Sequence, residues 1–355
     1  MRVAVVGLGA AGARLAATAR ADGHHVRTVA PGGTADASDV ARLGGPPVDA
    51  WILATPTATH LGLVRRLLRL DPAARILLEQ PACSPEDLPV LAATLDAHPA
   101  ARVLVNDVYA HSPAVRRFAG ILRATADSAS GDRVVRITVE FTKNRERDIA
   151  RGRFVDTQYG VVGYEWLDML AILRAIVPPT EYARYLCAPP SLVTSEMRVL
   201  VSGHSRLPEI ELYASAHGRV GFPRLAVDAF THPIARRRIA RGCIPYGSEL
   251  RYRFADVEFA SGARVTLVFE PHYQTAQDYK NVHAVHVRGA AGDRRTHLVP
   301  GNQLREALAA QLATLTGPDP TGTTGIRLPE HHHLASLAGH PHAHGVDRLA
   351  GAATG

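Results

Sequence analysis

The opening fifteen residues constrain the fold of this chain more than any other stretch. An apolar run, Val3–Val6, leads directly into glycines at positions 7, 9 and 12, and a helix-prone stretch of small residues follows. A strand, a tight turn and a helix start with glycines at G-x-G-x-x-G spacing are typical of a dinucleotide-binding turn. In such a turn Gly7 permits the sharp bend, Gly9 leaves room for a pyrophosphate beside the main chain, and Gly12 lets the helix pack closely on the strand.

The helix that follows adds a second reason to expect a phosphate here. Its first turn presents free N–H groups and a partial positive charge to an anion. The sequence therefore predicts cofactor contacts at Gly7, Gly9, Ala10, Ala11 and Gly12. The alternative is an ordinary tight turn between a strand and a helix, and the full strand–turn–helix context favours the dinucleotide site over it.

Composition narrows the remaining possibilities. With 355 residues and 46% hydrophobic content, the chain is too long for one compact α/β unit, so two domains are expected. No apolar run approaches the roughly 20 residues of a membrane span, and no signal-peptide pattern is present, so we expect a cytoplasmic protein with no membrane partner. The net charge is +7, but the basic residues are scattered and not interleaved with aromatic residues. We therefore expect a small-molecule substrate and no nucleic acid.

The first 118 residues or so alternate between strand-like and helix-like segments, which predicts a parallel sheet covered by helices on both faces. Ligands bind beyond the carboxyl ends of the strands of such a sheet. The predicted strands are Val3–Val6, His25–Ala30, Asp49–Thr55, Arg75–Glu79 and Arg102–Asp107, and the predicted helices include Leu61–Leu70 and Pro85–Leu95.

After about residue 132 the period changes to two, which indicates long antiparallel strands with one apolar face. Such strands are predicted at 134–141, 250–259, 263–270 and 282–288, with one helix at Tyr164–Ile176 that stops at Pro178-Pro179. The region Pro189–Arg241 has no clear pattern. The expected fold class is an α/β Rossmann N-terminal domain plus an α+β C-terminal domain with a large open, mainly antiparallel sheet. The expected limits are 1–120, 121–335 and a flexible tail at 336–355.

Histidines are concentrated near the end of the chain, at positions 331–333, 340, 342 and 344. Histidine clusters can bind metal. Because these residues lie among glycine and alanine with no strand to hold them, a solvated tail or weak adventitious metal binding is favoured over a catalytic site. We expect no metal site.

Several segments together resemble the glucose-fructose oxidoreductase/inositol dehydrogenase family, Gfo/Idh/MocA. The resemblance rests on the following segments: Gly7–Gly12, Ala54–His60, Leu78–Pro81, Tyr109–Pro113 and Gly163–Asp168. It implies that NAD or NADP is bound and that a sugar or cyclitol hydroxyl is oxidised, or the reverse. It also implies cofactor contacts at Thr55, Pro56, Thr57, His60, Glu79 and Gln80, and a homo-oligomer (dimer or tetramer) paired through the outer face of the large sheet.

Part of this segment also has a generic interpretation. Thr57 is then a helix N-cap, and Pro56 shapes the turn. His60, on the first helical turn, is expected to face local backbone rather than to act in catalysis.

Two departures from the family pattern affect the expected chemistry. The lysine of the family's Glu-Lys-Pro motif is replaced by Gln80, which forms hydrogen bonds but carries no charge and takes no proton at neutral pH. The family's Asp-x-x-x-His-x-x-Asp helix start, aligned on Asp168, places Val161 at the first aspartate and Glu165 at the histidine. We therefore expect the acid/base roles to have moved to other residues.

Glu165 is one candidate for a replacement general base, if burial raises its pKa; the alternative is that it only caps its helix. Tyr164 and Asp168 are further candidate site residues, with Tyr159 and Asp156 nearby. The chain contains two lysines, Lys143 and Lys280, among many arginines. Either lysine can stand in for the missing one, because a compact ammonium has a tunable pKa; the alternative is that both are chance.

The end of the second strand bears on the choice of cofactor. NAD sites place an acid there to hold the ribose 2′-hydroxyl, but the stretch Thr28–Thr34 has none, and the next acid is Asp36 in the loop. Arg27 and Arg42 are candidate partners for a 2′-phosphate. The sequence therefore favours NADP over NAD.

Together with the glycine turn, the resemblance implies an NAD(P)-dependent oxidoreductase that acts on a sugar, a cyclitol or a related carbonyl or imine intermediate, in specialised biosynthesis. Two alternatives stay open. One is a lyase, epimerase or hydrolase-like enzyme that uses a bound dinucleotide transiently, and the other is a non-catalytic nucleotide-binding protein.

Overall fold

The computed structural model describes residues 1–32, 34–128, 132–151, 158–159, 162–190, 192–193, 198–201, 207–318 and 325–339. These residues form two compact units. The first unit comprises the described residues of Met1–Val108, residues 158–159 and the described residues of Leu304–Ala335. The second comprises the described residues of Tyr109–Arg153 and Gly160–Gln303, with residues 336–339.

The elements follow the chain in this order. The N-terminal part of the first unit contains β1 (Arg2–Val6), α1 (Ala10–Ala21), β2 (His25–Val29), β3 (Ala50–Leu53), α2 (His60–Leu70), β4 (Arg75–Leu78), α3 (Leu88–Asp96) and β5 (Arg102–Val105). The second unit contains α4 (Pro113–Ser128), β6 (Val134–Lys143), α5 (Glu146–Ala150), α6 (Val162–Ile176), α7 (Pro179–Cys187), β7 (Leu192–Val193), β8 (Arg198–Val201), β9 (Glu209–Ser215), α8 (Pro233–Ala240), β10 (Arg251–Phe259), β11 (Arg264–Phe269), β12 (Val282–Arg288) and β13 (Arg294–Pro300). Helices α9 (Gln303–Thr316) and α10 (Leu328–Ala338) follow.

The first unit is a parallel sheet with strand order β2-β1-β3-β4-β5. Apolar residues of α2 and α3 pack on one face of the sheet, and those of α1 and α9 pack on the other. The strand order changes direction between β1 and β3. In an open α/β sheet a ligand binds at such a point, beyond the carboxyl ends of the strands.

Helix α9 returns to the first unit, although the sequence analysis placed residues up to 335 in the second domain. Consecutive helices α2 and α3 both cover the same face, so the opposite face has only α1 from the N-terminal part. Leu308, Leu312 and Leu315 form an apolar stripe on α9 that buries the rest of that face. Helix α9 therefore packs on the first unit because the strands of a parallel sheet are apolar on both faces and both faces must be buried.

The second unit has an eight-stranded sheet with the order β13-β12-β11-β10-β6-β9-β8-β7. Neighbouring strands are antiparallel except β6 and β9, which run parallel. The predicted fold class is confirmed: a Rossmann-type parallel sheet and an α+β unit with a mainly antiparallel sheet.

Central strands β6 and β10 are buried on both faces. Val139 and Phe141 lie on the apolar face of β6 that the period-two pattern predicted, and both are buried. Thr138, Glu140 and Thr142 on the opposite face are buried as well. This second face is covered in part by α8, whose apolar residues pack with strand residues such as Phe254 in one buried cluster.

Two further elements differ from the sequence expectation. The predicted helix at Tyr164–Ile176 is α6, and a second helix, α7, begins immediately after it at Pro179. Proline ends one helix and fits the first turn of the next, so the same residues act as a stop and a start. The region without a pattern contains β9 and α8. Helix α10 extends to Ala338, so the first residues of the predicted tail are helical; residues 340–355 lie outside the described part.

Candidate functional site

The glycine turn, residues Gly7–Gly12, has the geometry expected of its motif. Gly7 has a φ of +91°, which favours glycine, and a Cβ there would lie 2.6 Å from the carbonyl oxygen of Ala54. A Cβ on Gly12 would overlap the carbonyl oxygen of Gly7. A Cβ on Gly9, by contrast, would meet no heavy atom within 4 Å beyond its chain neighbours. The turn thus combines a bend, a close helix contact and an open approach to bare main chain.

The N-terminus of α1 opens onto this turn. The N-cap residue is Gly9, so no side chain accepts a hydrogen bond from the first N–H groups of α1. The first helical turn contains no acidic residue. The first N–H groups of a helix have no partner within it, and its positive end attracts anions. Main-chain donors at Ala10 and Ala11, together with the open space at Gly9, therefore fit a pyrophosphate.

The acid that follows β2 most closely in sequence is Asp36. Asp36 folds back on the strand, and one carboxylate oxygen accepts hydrogen bonds from the Thr28 N–H (2.6 Å) and hydroxyl (2.8 Å). These bonds lower the pKa of Asp36. The acid closest in sequence is thus held by the strand.

The segment between β3 and α2 is pinned by hydrogen bonds to backbone. His60 is buried, with Nε2 2.9 Å from the carbonyl oxygen of Thr55 and Nδ1 3.1 Å from that of Pro81. Burial lowers its pKa, and the neutral ring donates to only one of these two carbonyls at a time. The ring therefore faces local backbone, as the sequence interpretation expected.

The N-cap interpretation of Thr57 is not what the structure shows. A 3₁₀ turn, Thr57–Thr59, precedes α2; its N-cap is Pro56, and α2 has Thr59 as its N-cap. Neither N-cap makes a side-chain cap. Pro56 precedes the turn in an extended conformation (φ −55°, ψ 138°), so helical backbone begins only at Thr57. Thr57 itself is buried.

Glu79 and Gln80 stand at the end of β4. Asn106 Nδ2 donates to Glu79 Oε1 (2.7 Å), and Gln311 Nε2 donates to Asn106 Oδ1 (3.0 Å). Burial raises the pKa of Glu79. Gln80 is half-buried and joins Pro81 through a cis peptide bond. Helix α9 thus supports the polar end of β4 from residues distant in sequence.

In the second unit, Glu165 belongs to a charge cluster with Arg145 and Arg253. The carboxylate of Glu165 is buried and accepts from Arg253 Nη2 at both oxygens (2.7 and 2.6 Å), and from Arg145 Nη2 at one of them. Burial opposes ionisation, but Arg253 and Arg145 outweigh it and lower the pKa of Glu165. A general base at this position needs a raised pKa, so these ion pairs favour an anchoring role for Glu165 over the role of a base.

Aromatic residues surround the arginine of the charge cluster. Arg253 lies over the ring of Phe141, 4.9 Å from the centroid, and its Nη1 donates to the Tyr109 hydroxyl (2.9 Å). Tyr109 also packs against Phe269. Sequence reasoning missed Arg145 and Arg253 as partners of Glu165, and Tyr109 as a partner of Arg253. One signal was available in the sequence. Arg253 shares a face of its strand with the apolar residues Ala255 and Val257, and a charge buried on such a face requires a partner.

The two lysines differ in their exposure to solvent. Lys143 is only 6% exposed, and its Nζ donates to Asp148 Oδ2 at 2.9 Å. Burial lowers its pKa, Asp148 opposes that change, and Arg145 adds to it. Lys280 is exposed, with its Nζ 5.7 Å from the centroid of the Tyr279 ring.

The other predicted residues have different outcomes. Asp168 is half-buried; burial raises the pKa of Tyr109, and the charge of Asp168 adds to that effect. The Tyr159 hydroxyl donates to the Cys83 carbonyl (2.8 Å). The side chain of Tyr164, with Asp156 and Val161, lies outside the described residues.

The first histidines of the C-terminal group are part of the fold. His331 and His333 are buried in α10, so the interpretation of a solvated tail is wrong at these positions. They are buried because α10 packs on the first unit through apolar neighbours such as Leu328 and Ala335. His340, His342 and His344 lie outside the described part. Among the described residues no group of three metal-ligating side chains is assembled. No helix in the described ranges is long and apolar enough to cross a membrane.

No known protein family and no curated protein matches the sequence. Solved structures do share its fold. KijD10, a 3-ketoreductase from Actinomadura kijaniata in complex with TDP-benzene and NADP, in an open conformation, gives a TM-score of 0.63 at 14% identity, covering 95% of this chain and 96% of that one. An oxidoreductase from Agrobacterium radiobacter in complex with NAD+, L-tartaric acid and magnesium gives 0.58 at 14% identity, covering 95% and 94%.

A third structure, provisionally named an NADPH-dependent oxidoreductase, comes from Desulfitobacterium hafniense DCB-2. It gives a TM-score of 0.64 at 11% identity, covering 95% of this chain and 93% of that one. At these identities the similarity shows a shared two-domain fold along almost the whole chain.

Proposed function

We propose that this chain is an NAD(P)-dependent oxidoreductase of the Gfo/Idh/MocA type. Its substrate is a sugar, a cyclitol or a related carbonyl or imine intermediate of specialised biosynthesis. The observation that carries the proposal is the glycine turn, where bare main chain opens at Gly9 beside the N-terminus of α1. Proteins of the same fold bound to NADP or NAD+ support it.

In this proposal the glycine turn and the first turn of α1 hold the pyrophosphate. Thr55, Pro56 and Glu79 line the cofactor site from the ends of β3 and β4. NADP is favoured over NAD because no acid stands at the end of β2, where an NAD site holds the ribose 2′-hydroxyl, and the next acid in sequence, Asp36, turns one carboxylate oxygen to Thr28.

The bound nicotinamide supplies or accepts the hydride, so the chain itself must move a proton. We assign this role to Lys143. Its buried ammonium has a lowered pKa and therefore gives up a proton more readily near neutral pH than an exposed lysine does. Asp148 orients it through the 2.9 Å hydrogen bond.

Glu165 has a different role in this scheme. Its carboxylate neutralises Arg253 and Arg145, so it fixes these two guanidinium groups rather than taking a proton, and Arg145 in turn contributes to the lowered pKa of Lys143. The side chain of Gln80 supplies a neutral hydrogen-bonding group where the family has a charged one. Asp168 adds an acceptor for a substrate hydroxyl.

A binding experiment tests the carrying observation. The full chain is titrated with NADPH and with NADH, and binding is followed by nicotinamide fluorescence; sugars and ketones are then screened for a change in absorbance. In Gly9→Val the new side chain fills the open space without meeting protein atoms at its Cβ. We expect its Kd for NADPH to rise about 100-fold, equivalent to about 2.8 kcal/mol.

Gly62→Val is the matched control, because Gly62 is an exposed glycine of α2 with equally open surroundings. It should bind NADPH like the unaltered protein. Unaltered protein that binds neither dinucleotide, or a Gly9→Val variant that binds normally, would contradict the proposal.

A second candidate is a lyase, epimerase or hydrolase-like enzyme that uses the dinucleotide transiently. It is favoured by one observation: neither Gln80 nor the ion-paired Glu165 is suited to take a proton. Substrate conversion with bound dinucleotide but no net consumption of NADPH would support it. Binding without any conversion would indicate a non-catalytic nucleotide-binding protein.

We also propose that the chain forms a homo-oligomer through the outer face of the large sheet. Leu298 of β13 is 58% exposed on that face, which leaves an apolar side chain for a second copy to cover. Light scattering after size exclusion tests this proposal; a monomer at micromolar concentration would contradict it.

A further inference from the structure

The turn after β4, residues 79–83, is a buried connection. Ala82 and Cys83 are both 0% exposed. Buried backbone groups need hydrogen-bond partners, and a loop has no ladder to provide them. Side chains fulfil this need here: His60 faces the Pro81 carbonyl, and the Tyr159 hydroxyl donates to the Cys83 carbonyl.

The N–H of Ala82 has a partner from the other end of the sequence. It donates to Nε2 of His331 at 3.1 Å, across 249 positions of the chain. His331 stands in the first turns of α10 and is itself 1% exposed. The link therefore attaches α10 to a point two residues beyond Gln80.

The hydrogen bonds of His331 define its tautomer. Nε2 accepts from Ala82 and so carries no proton, while Nδ1 lies 3.0 Å from the carbonyl oxygen of Arg327 and must be the donor. Both ring nitrogens are thus committed to backbone atoms. A metal ion has no lone pair to bind on this ring, which separates His331 from the metal-binding interpretation of the histidine group.

The position of the turn matters because it contains Gln80, next to Glu79. Glu79 is held by Asn106 and, through it, by Gln311 of α9. The Ala82 link is the corresponding restraint on the other side of Gln80. A misplacement of about 1 Å in a catalytic site can reduce a rate about 100-fold.

We propose that His331 is a positioning residue that holds the Gln80–Pro81 turn in place by accepting the Ala82 N–H. This rests on the proposed function, because Gln80 is taken to contact the nicotinamide end of the cofactor or the substrate. The pyrophosphate end is held separately by the glycine turn, so losing the link affects turnover rather than dinucleotide affinity.

Variants of the full chain test the link. His331→Met fills similar space with only a weak sulfur acceptor, and we expect kcat to fall about 10-fold while the Kd for NADPH changes less than about 2-fold. His331→Gln places an amide oxygen near the position of Nε2 and should restore kcat. His332→Met is the matched control, since His332 is exposed on the same helix, and it should behave like the unaltered protein.

A merely structural role predicts a different result, in which both substitutions lower stability and the glutamine variant does not restore kcat. That result, or full turnover by His331→Met, overturns the proposal. If His331→Met does not fold, His331→Asn replaces it, because its shorter side chain does not reach Ala82. Asparagine should then lose turnover that glutamine retains, and equal turnover in the two overturns the proposal.

Two measurements on the unliganded protein separate this proposal from the proposed function. The ¹⁵N shifts of His331 should show protonated Nδ1 and unprotonated Nε2 near neutral pH. Hydrogen exchange of the peptide that spans the turn should become about 10-fold faster in His331→Met and return to normal in His331→Gln. A protonated Nε2, or unchanged exchange, overturns the link even if NADPH binds. Intact exchange behaviour without any NADPH binding refutes the proposed function instead.

Discussion

The glycine turn of the first unit and the charge cluster of the second are built in opposite ways. The glycine turn offers main chain and open space, and each of its three glycines marks a place where a side chain is absent. The charge cluster consists of side chains: Glu165 is enclosed by two arginines, and Arg253 is further held by Phe141 and Tyr109. The glycine turn therefore depends on the absence of side chains, and the charge cluster depends on side chains that pair with one another.

This difference predicts which substitutions each region tolerates. Adding atoms should damage the glycine turn, because a new Cβ enters space needed by a helix contact or a ligand. Removing atoms should damage the charge cluster, because a buried charge left without a partner is costly. The proposed proton carrier, Lys143, belongs to the second unit, and Arg145 of the charge cluster contributes to its lowered pKa.

Glu165→Ala should have the largest effect. It leaves Arg253 buried without its carboxylate, and breaking a buried ion pair costs about 3–5 kcal/mol in the free energy of unfolding. Urea denaturation measures the change. Glu249→Ala is the control, because Glu249 is exposed. A loss below about 1 kcal/mol would show that the cluster is not held together by this charge.

Lys143→Met should lower kcat about 100-fold, because general acid–base catalysis contributes about that much. Binding of NADPH should be nearly unchanged, since the glycine turn is untouched. Lys280→Met is the control, and its exposed position predicts normal turnover. Steady-state kinetics at saturating NADPH decide the matter: if both variants turn over at the full rate, neither lysine moves the proton.

Gly12→Ala should have the smallest effect of the three. The added methyl overlaps the Gly7 carbonyl, and overpacking of this kind costs about 1–3 kcal/mol. Gly9→Ala adds the same methyl to open space and should leave the free energy of unfolding within about 0.5 kcal/mol. Equal losses in the two variants, measured by urea denaturation, would break the distinction between close contact and open approach.

Much of the fold was predictable, because the strands of the parallel sheet are continuous apolar runs and those of the second sheet alternate with period two. Predicted strand ends are within one or two residues of the observed ones, as at Arg102–Val105. The return of α9 was not predictable, because its stripe of leucines fits any apolar surface. The burial of Glu140 was not predictable for a similar reason. Alternation indicates which face of a strand is polar, but it does not indicate which other segments pack on that face.

In the candidate site, the residues that could be located from sequence are those whose role is local. Gly7 is required by its own positive φ, and Gly12 by the carbonyl of Gly7 five residues before it, so their spacing records their function. Glu165 was identified as important, but its partners Arg145 and Arg253 lie 20 and 88 residues away, and this changed its role from base to ion-pair anchor. His331 was assigned to a tail because its partner is 249 residues distant.

By itself, the sequence determined the two kinds of sheet and the bend at the start of the chain, because these follow from hydrophobic period and from steric limits on a few adjacent residues. Tertiary structure alone decided which charges are paired, and hence the pKa direction of Glu165 and Lys143. Ionisation in a folded protein depends on burial and on charges within a few ångströms, and those distances are set by how remote segments pack.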